Sequence, residues 1–241
     1  MFLALKLALS PLLVAQALAT RRRAPVLPEA AGLRRGQLGR GEGGVRLLIA
    51  GDSSAAGVGV AYQHQALVGY LTRSLHRAIA RVVRWTLHAR SGLMTQQVHA
   101  LLRTEALPLA DVAVVVSGVN DVIDQIPSRR AVEHRAALAD WLLAEGRVTH
   151  VVFAPLPPVH RFPLLPQPLR RVMGDDARRH DDAMARWAAT RGDVSHLAIA
   201  LDLTPGVMAS DGFHPGEPVY RACGEALAAH IAAMNFEETT P

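Results

Sequence analysis

Val112-Ala113-Val114-Val115-Val116, followed at once by Ser117-Gly118-Val119-Asn120-Asp121, is the stretch that decides the fold. Five apolar residues in a row, four of them β-branched and bounded by Ser-Gly, predict a strand. No polar residue is left for a solvent face, so the strand should be covered on both sides, as in parallel sheets. Working outward, residues 45–50 read as another buried strand, the first along the chain, ending in Gly51. Residues 66–80 carry apolar positions at helical spacing, 82–88 read as a strand and 95–105 as a helix. On the carboxyl side, 128–144 read as a helix capped by Ser128, and 148–154 as a strand. A proline-rich loop spans 155–168, a helix 169–190 and a weaker strand 194–199. The last helix covers 217–234, with Pro215 at its start. Strands alternating with helices predict an α/β domain: a parallel sheet with helices on both faces.

The chain has 241 residues, half of them hydrophobic, which suits one domain with a sizeable core. The net charge of +5 would raise a nucleic-acid reading. Lys6 is the sole lysine, the arginines are dispersed, and Arg21-Arg22-Arg23 is their only run. A solvated arginine-rich surface, with no nucleic-acid partner, is the better reading. Cys223 is the single cysteine, which excludes an internal disulfide and a cysteine-based zinc site. It sits in an apolar helical pattern and reads as a small packed residue.

In parallel α/β sheets, ligands sit beyond the carboxyl ends of the strands. Four such loops carry chemistry-bearing residues. Gly51-Asp52-Ser53-Ser54 follows the first strand, where a serine can be held with its N–H free. These residue types are also common turn and cap formers. Ser91-Gly92-Leu93 follows the second strand, and its glycine permits close backbone approach. Gly118-Val119-Asn120-Asp121 follows the valine strand, and the Asn120 amide can donate to a developing oxyanion. Asp211-Gly212-Phe213-His214-Pro215 precedes the last helix. Its histidine can act as a base near neutral pH, and an aspartate three residues earlier can reach the other ring nitrogen.

These four blocks, in this order, resemble the SGNH hydrolases, the GDSL esterases and lipases. The resemblance runs from about residue 46 to 233. Ser54 stands where the name-giving motif has leucine. The resemblance implies a flavodoxin-like three-layer sandwich with roughly five parallel strands, and no metal or organic cofactor. It implies Ser53 as nucleophile, His214 as base and Asp211 as its orienting group. The Ser53 and Gly92 N–H groups and the Asn120 side chain would form the oxyanion hole. The implied substrate is a small-molecule or lipid-like ester, cleaved through an acyl-enzyme. Deacetylation of a carbohydrate or peptidoglycan ester is an alternative. A non-catalytic, membrane-tethered binding domain is another, though it would not need all four groups. The other histidines lack a paired ligand spacing, and the acidic residues of 175–182 lie beside Arg178 and Arg179, which favours ion pairs over a metal site.

Residues 1–19 are apolar apart from Lys6, Ser10, Pro11 and Gln16, and the three arginines follow. The favoured expectation is an uncleaved segment associated with a membrane. Export after signal cleavage is the alternative, since Ala15-Gln16-Ala17 and Ala17-Leu18-Ala19 resemble cleavage sites. Residues 20–44, rich in Gly, Pro and Arg, read as a linker without regular structure. The compact domain is expected over 45–241, so few contacts should cross a cut near Gly44.

Overall fold

The structure is a computed structural model that describes residues 3–41, 43–146 and 148–234, with side chains from Lys6 onward. Met1 and Phe2, the start of the expected amino-terminal segment, lie outside the described residues. Helices α1 (Leu3–Ala8) and α2 (Ser10–Arg23) open the chain, followed by β1 (Arg35–Leu38) and β2 (Val45–Gly51). Then come α3 (Ser53–Ala56), α4 (Leu67–Ile79), β3 (Val83–Ala89), α5 (Thr95–Arg103), β4 (Val112–Val116), α6 (Val119–Ile123) and α7 (Ser128–Ala144). The carboxyl part holds β5 (His150–Phe153), α8 (Leu169–Ala188), β6 (Val194–His196) and α9 (Glu217–Ala232).

The sheet order is β1-β3-β2-β4-β5-β6. β2 to β6 are mutually parallel, and β1 joins antiparallel to β3, with Arg35 opposite Thr86 and Leu38 opposite Val83. The five parallel strands have the flavodoxin order. The chain reverses direction across the sheet at β2, so the crevice at the switch point opens between β2 and β4. Ser53 follows β2 and Asn120 lies just beyond β4.

Alternation along β2 explains the three layers. Val45, Leu47 and Ile49 pack with Leu71 and Leu75 of α4 and Leu227 and Ile231 of α9 on one face. Leu48 and Ala50 pack with Leu102 of α5, Leu138 and Leu142 of α7 and Met184 of α8 on the other. Each such fully buried aliphatic side chain contributes about 1.5–3 kcal/mol. Gly51 ends β2 because a Cβ there would stand 2.0 Å from the Val116 carbonyl oxygen of β4. Gly51→Ala would therefore force apart the two strands that carry the site.

Three expectations change. Residues 20–44 hold β1, whose backbone is paired along the sheet edge. Residues before it also contact the domain: Ala31 N–H donates to Ala61 O (2.9 Å) and Gln63 N–H to Ala31 O (2.8 Å). Ser128 is the first helical residue of α7 and Pro127 holds the cap position, with no side-chain cap bond. Gly216 caps α9 and Pro218 sits in its first turn, while Pro215 forms a bridge to Met208 ahead of the helix. The helix at 169–188 does carry the expected ion pairing, through Asp176 and Arg179. Cys223 is partly buried among apolar neighbours, and burial pushes its thiol up to about 12.

Candidate active site

Asp52 sits in extended backbone at the cap of α3 and accepts from Ser54 N–H (2.9 Å). Ser53 thus becomes the first helical residue, where its own N–H has no acceptor within the helix. The turn is tied to both neighbouring strands: Asp52 N–H donates to Val116 O (3.0 Å) and Arg90 N–H to Gly51 O (3.2 Å).

The loop before α9 brings the other half. His214 Nε2 lies 3.1 Å from Ser53 Oγ, and His214 Nδ1 lies 2.5 Å from Asp211 Oδ2. Asp211 Oδ1 accepts the backbone N–H groups of Phe213 and His214, both at 2.9 Å. Gly212 takes a left-handed φ of +64°, which lets the loop close within four residues. The Asp211 side chain is 2% exposed. Burial alone would raise its pKa, but the bonds from the His214 ring and the two N–H groups outweigh that and hold it below the usual value. With Nδ1–H on Asp211, Nε2 is free to accept the serine proton. Phe213 packs edge-on against the imidazole, 5.1 Å between centroids, and Phe162 against Phe213 at the same distance.

Asn120 lines the same pocket as Ser53 and His214, whereas Gly92 is not among the residues that line it. Gly92 adopts φ +82° in an exposed turn, with open space where a Cβ would stand. Conformation rather than packing requires a glycine there. Asn120 Nδ2 donates one hydrogen to Leu93 O (3.0 Å). An amide has a second, which leaves one N–H for a ligand. Ser53, Asn120 and His214 all line one small pocket of about 30 Å³, walled by Phe162, Leu203, Met208, Phe213 and Val219.

Behind this surface lies a buried polar cluster that the sequence did not reveal. Asp121, fully buried, accepts from Thr95 N–H (3.0 Å) and from the Thr95 hydroxyl (2.6 Å). That hydroxyl is 3.1 Å from Ser117 Oγ. Arg135, 2% exposed on α7, donates to Ser117 O (3.2 Å) and lies 3.9 Å from Asp121. Desolvation lowers its pKa, opposed by the charges of Asp121, Asp181 and Asp52. Asp52 goes the other way: burial pushes it up to about 7, against the Ser54 N–H bond and the nearby His214 charge. An arginine inside a predicted helix carries no sequence signal of burial. Asp121 is visible in the sequence within Gly118-Val119-Asn120-Asp121, but with nothing there to mark it as buried.

Residues 49–222 match the sequence profile of the GDSL-like Lipase/Acylhydrolase family. The chain belongs to that family and is a serine ester hydrolase. Among the curated proteins compared, none matches it in sequence. Solved structures share the fold. A lipolytic protein of the G-D-S-L family from Veillonella parvula is 15% identical with a TM-score of 0.60, covering 78% of this chain and 99% of its own. The lipase Lip_vut3 from a goat rumen metagenome is 18% identical with a TM-score of 0.62, covering 79% and 98%. Axe2, an acetylxylan esterase from Geobacillus stearothermophilus, is 17% identical with a TM-score of 0.55, covering 80% and 96%.

Proposed function

We propose that the chain hydrolyses short-chain acyl esters through Ser53. Ser53 Oγ attacks the acyl carbonyl while its proton passes to His214 Nε2. Asp211 keeps the ring in that tautomer and stabilises the imidazolium. The oxyanion is held by the Ser53 and Gly92 N–H groups and the free Asn120 N–H. Collapse breaks the ester C–O bond, and the imidazolium returns the proton to the departing alcohol. Water then repeats the sequence on the acyl-enzyme, releasing the acid and restoring Ser53.

The observation that carries this is the unbroken Asp211–His214–Ser53 line opening onto one pocket. The pocket's size supports an acetyl-sized acyl group, because about 30 Å³ is the room of one or two water molecules. That favours O-acetyl ester hydrolysis, the activity in the printed name of Axe2, over cleavage of long fatty acyl chains. A fluorophosphonate probe and a series of esters of rising acyl length test both parts. Labelling abolished by Ser53→Ala and a rate that falls beyond about four carbons are expected. Undiminished labelling of Ser53→Ala removes the nucleophile; a rate rising to long chains removes the short-acyl reading.

The amino-terminal helices support a membrane-surface location as a second element of this proposal. No described helix is long and apolar enough to cross a membrane. α2 instead lies on α8: Leu13 is buried beside Phe162 and Leu169, and Gln16 bonds Gln167 O (2.8 Å), while Lys6 of α1 pairs with Asp176 of α8 (2.7 Å). Val14 and Leu18, one turn apart, stay 58% and 52% exposed, as does Leu7 at 64%. Arg21, Arg22 and Arg23 end the same helix. An exposed apolar face next to a basic cluster suits an anionic bilayer surface. Sedimentation with phosphatidylserine-containing vesicles, lost in Val14→Ser/Leu18→Ser, is the expected result. A native amino terminus near Thr20 by mass spectrometry would replace it with cleaved export.

A further inference from the structure

The segment ahead of the family-matched region reaches the oxyanion side of the site. Glu29 Oε1 accepts both the Ser91 backbone N–H (2.7 Å) and the Ser91 hydroxyl (2.9 Å). Its other oxygen accepts from Arg34 (2.5 Å), and Arg34 in turn donates to Ala89 O at the end of β3 (2.6 Å). The next residue, Ala30, donates its N–H to Ala56 O, the last residue of the nucleophile's helix (3.3 Å). Gln63 Nε2 binds both Ala30 O (3.0 Å) and Ala56 O (2.9 Å), and is buried. Residues 29–34 therefore run as a strap from the end of α3 to the turn that holds Gly92.

We infer that this strap is part of the catalytic apparatus, with Glu29 as a positioning residue for the Gly92 N–H. The turn needs such support. Ser91 and Gly92 are exposed, Gly92 makes no packing contact through a Cβ, and its left-handed φ is one of several a glycine can adopt. An oxyanion donor acts through its fixed direction, and a displacement near 1 Å can cost about a hundredfold in rate. Asn120 reaches the turn from one side, at Leu93 O; Glu29 reaches it from the other, at Ser91. The carboxylate suits the task because it accepts two Ser91 donors on one oxygen and keeps Arg34 on the other. Burial raises the pKa of Glu29, but the Ser91 bonds and the Arg34 charge outweigh it, so the group is a carboxylate at neutral pH. Glu29 lies 20 residues before the start of the family match at 49.

The inference rests on the proposed oxyanion hole, and its test separates the two. Wild type, Glu29→Ala, Glu29→Gln and Ser53→Ala are compared on a water-soluble acetyl ester. Melting temperature, kcat, KM and the affinity of a boronate or other tetrahedral analogue are measured on each. Glu29→Ala is expected to lose about tenfold in kcat and a similar factor in analogue affinity, with KM within about twofold. Glu29→Gln keeps an acceptor for the Ser91 N–H and should fall between Glu29→Ala and wild type. A folded Glu29→Ala with wild-type kcat and analogue affinity overturns the strap's role, whatever its melting temperature. Wild-type turnover in Ser53→Ala would instead overturn the site reading beneath it.

Discussion

The two flanks of Ser53 are built by opposite means. On the proton-relay flank, Asp211 and His214 stand three residues apart on one loop, and Asp211 binds the N–H groups of that same loop. On the flank proposed to hold the oxyanion, Gly92 and Asn120 follow different strands, and each loop is tied down by distant side chains. Asp121 ties the Asn120 loop to Thr95 across 26 residues, and Glu29 ties the Gly92 turn to the amino-terminal strap across 62. A locally closed unit depends little on the rest of the fold. A unit closed by distant contacts has more places at which it can be weakened without touching a reacting atom.

Breaking the relay should give the largest losses. His214→Ala is expected to lower kcat by about 10⁴-fold or more, and Asp211→Asn by less, because the imidazole remains but its tautomer is no longer fixed. Steady-state turnover of a soluble ester checks both; a His214→Ala enzyme within tenfold of wild type would end the relay assignment. On the other flank, Asn120→Ala should reduce kcat by about 10²–10³-fold with little change in KM. Equal weakening of substrate and tetrahedral-analogue binding would mean that Asn120 only positions the ester. Thr95→Val should cost less, about 3–10-fold in kcat, since the Thr95 N–H still reaches Asp121 while its hydroxyl does not. A kcat equal to wild type would confine that contact to stability.

The two buried carboxylates near His214 sharpen the comparison through pH. Asp211 has a depressed pKa, so its contribution to stability is present above the ordinary carboxylate value and is lost as pH falls through the folded one. Asp52 is raised from 3.8 to about 7. Its contribution is complete below pH 3.8 and is lost as pH rises toward and through 7. Asp52→Asn mimics the neutral form and keeps an acceptor for Ser54 N–H. The variant should therefore gain on wild type by on the order of 2 kcal/mol between pH 5 and pH 8. Urea unfolding at the two pH values measures this, and a difference that does not change would show Asp52 ionising normally.

Legibility in the sequence follows the same division. β2, β4 and β5 could be read because each is a short, largely apolar run in the middle of the sheet, β3 and β6 less sharply because polar residues interrupt them, and the Asp-x-x-His loop because its partners are three residues apart. β1 could not. Arg35-Gly36-Gln37-Leu38 alternates between exposed and half-buried, sits at the sheet edge and lies among glycines, so nothing in its composition separates it from a linker. Arg135 and Thr95 were silent because burial of a polar side chain is a property of the assembled layers. Glu29 was silent because its partner is 62 residues away. The short helices α3 and α6, four and five residues long, are too brief to show a period.

The turn between β1 and β2 has a consequence for how the chain can be divided. Gly39, Gly41, Gly43 and Gly44 all take positive φ there, and nothing stands near the Cβ positions of Gly41 and Gly43. The described segment upstream is anchored to the domain at several points of its own, through β1, Arg34, Glu29 and Leu13. A nick in this turn would convert the upstream piece from part of the chain into a separable peptide subunit. An inactive or slowed fragment beginning at Val45 should then regain turnover when a peptide of residues 25–41 is added, with a half-saturation concentration that reports how tightly the strap is held.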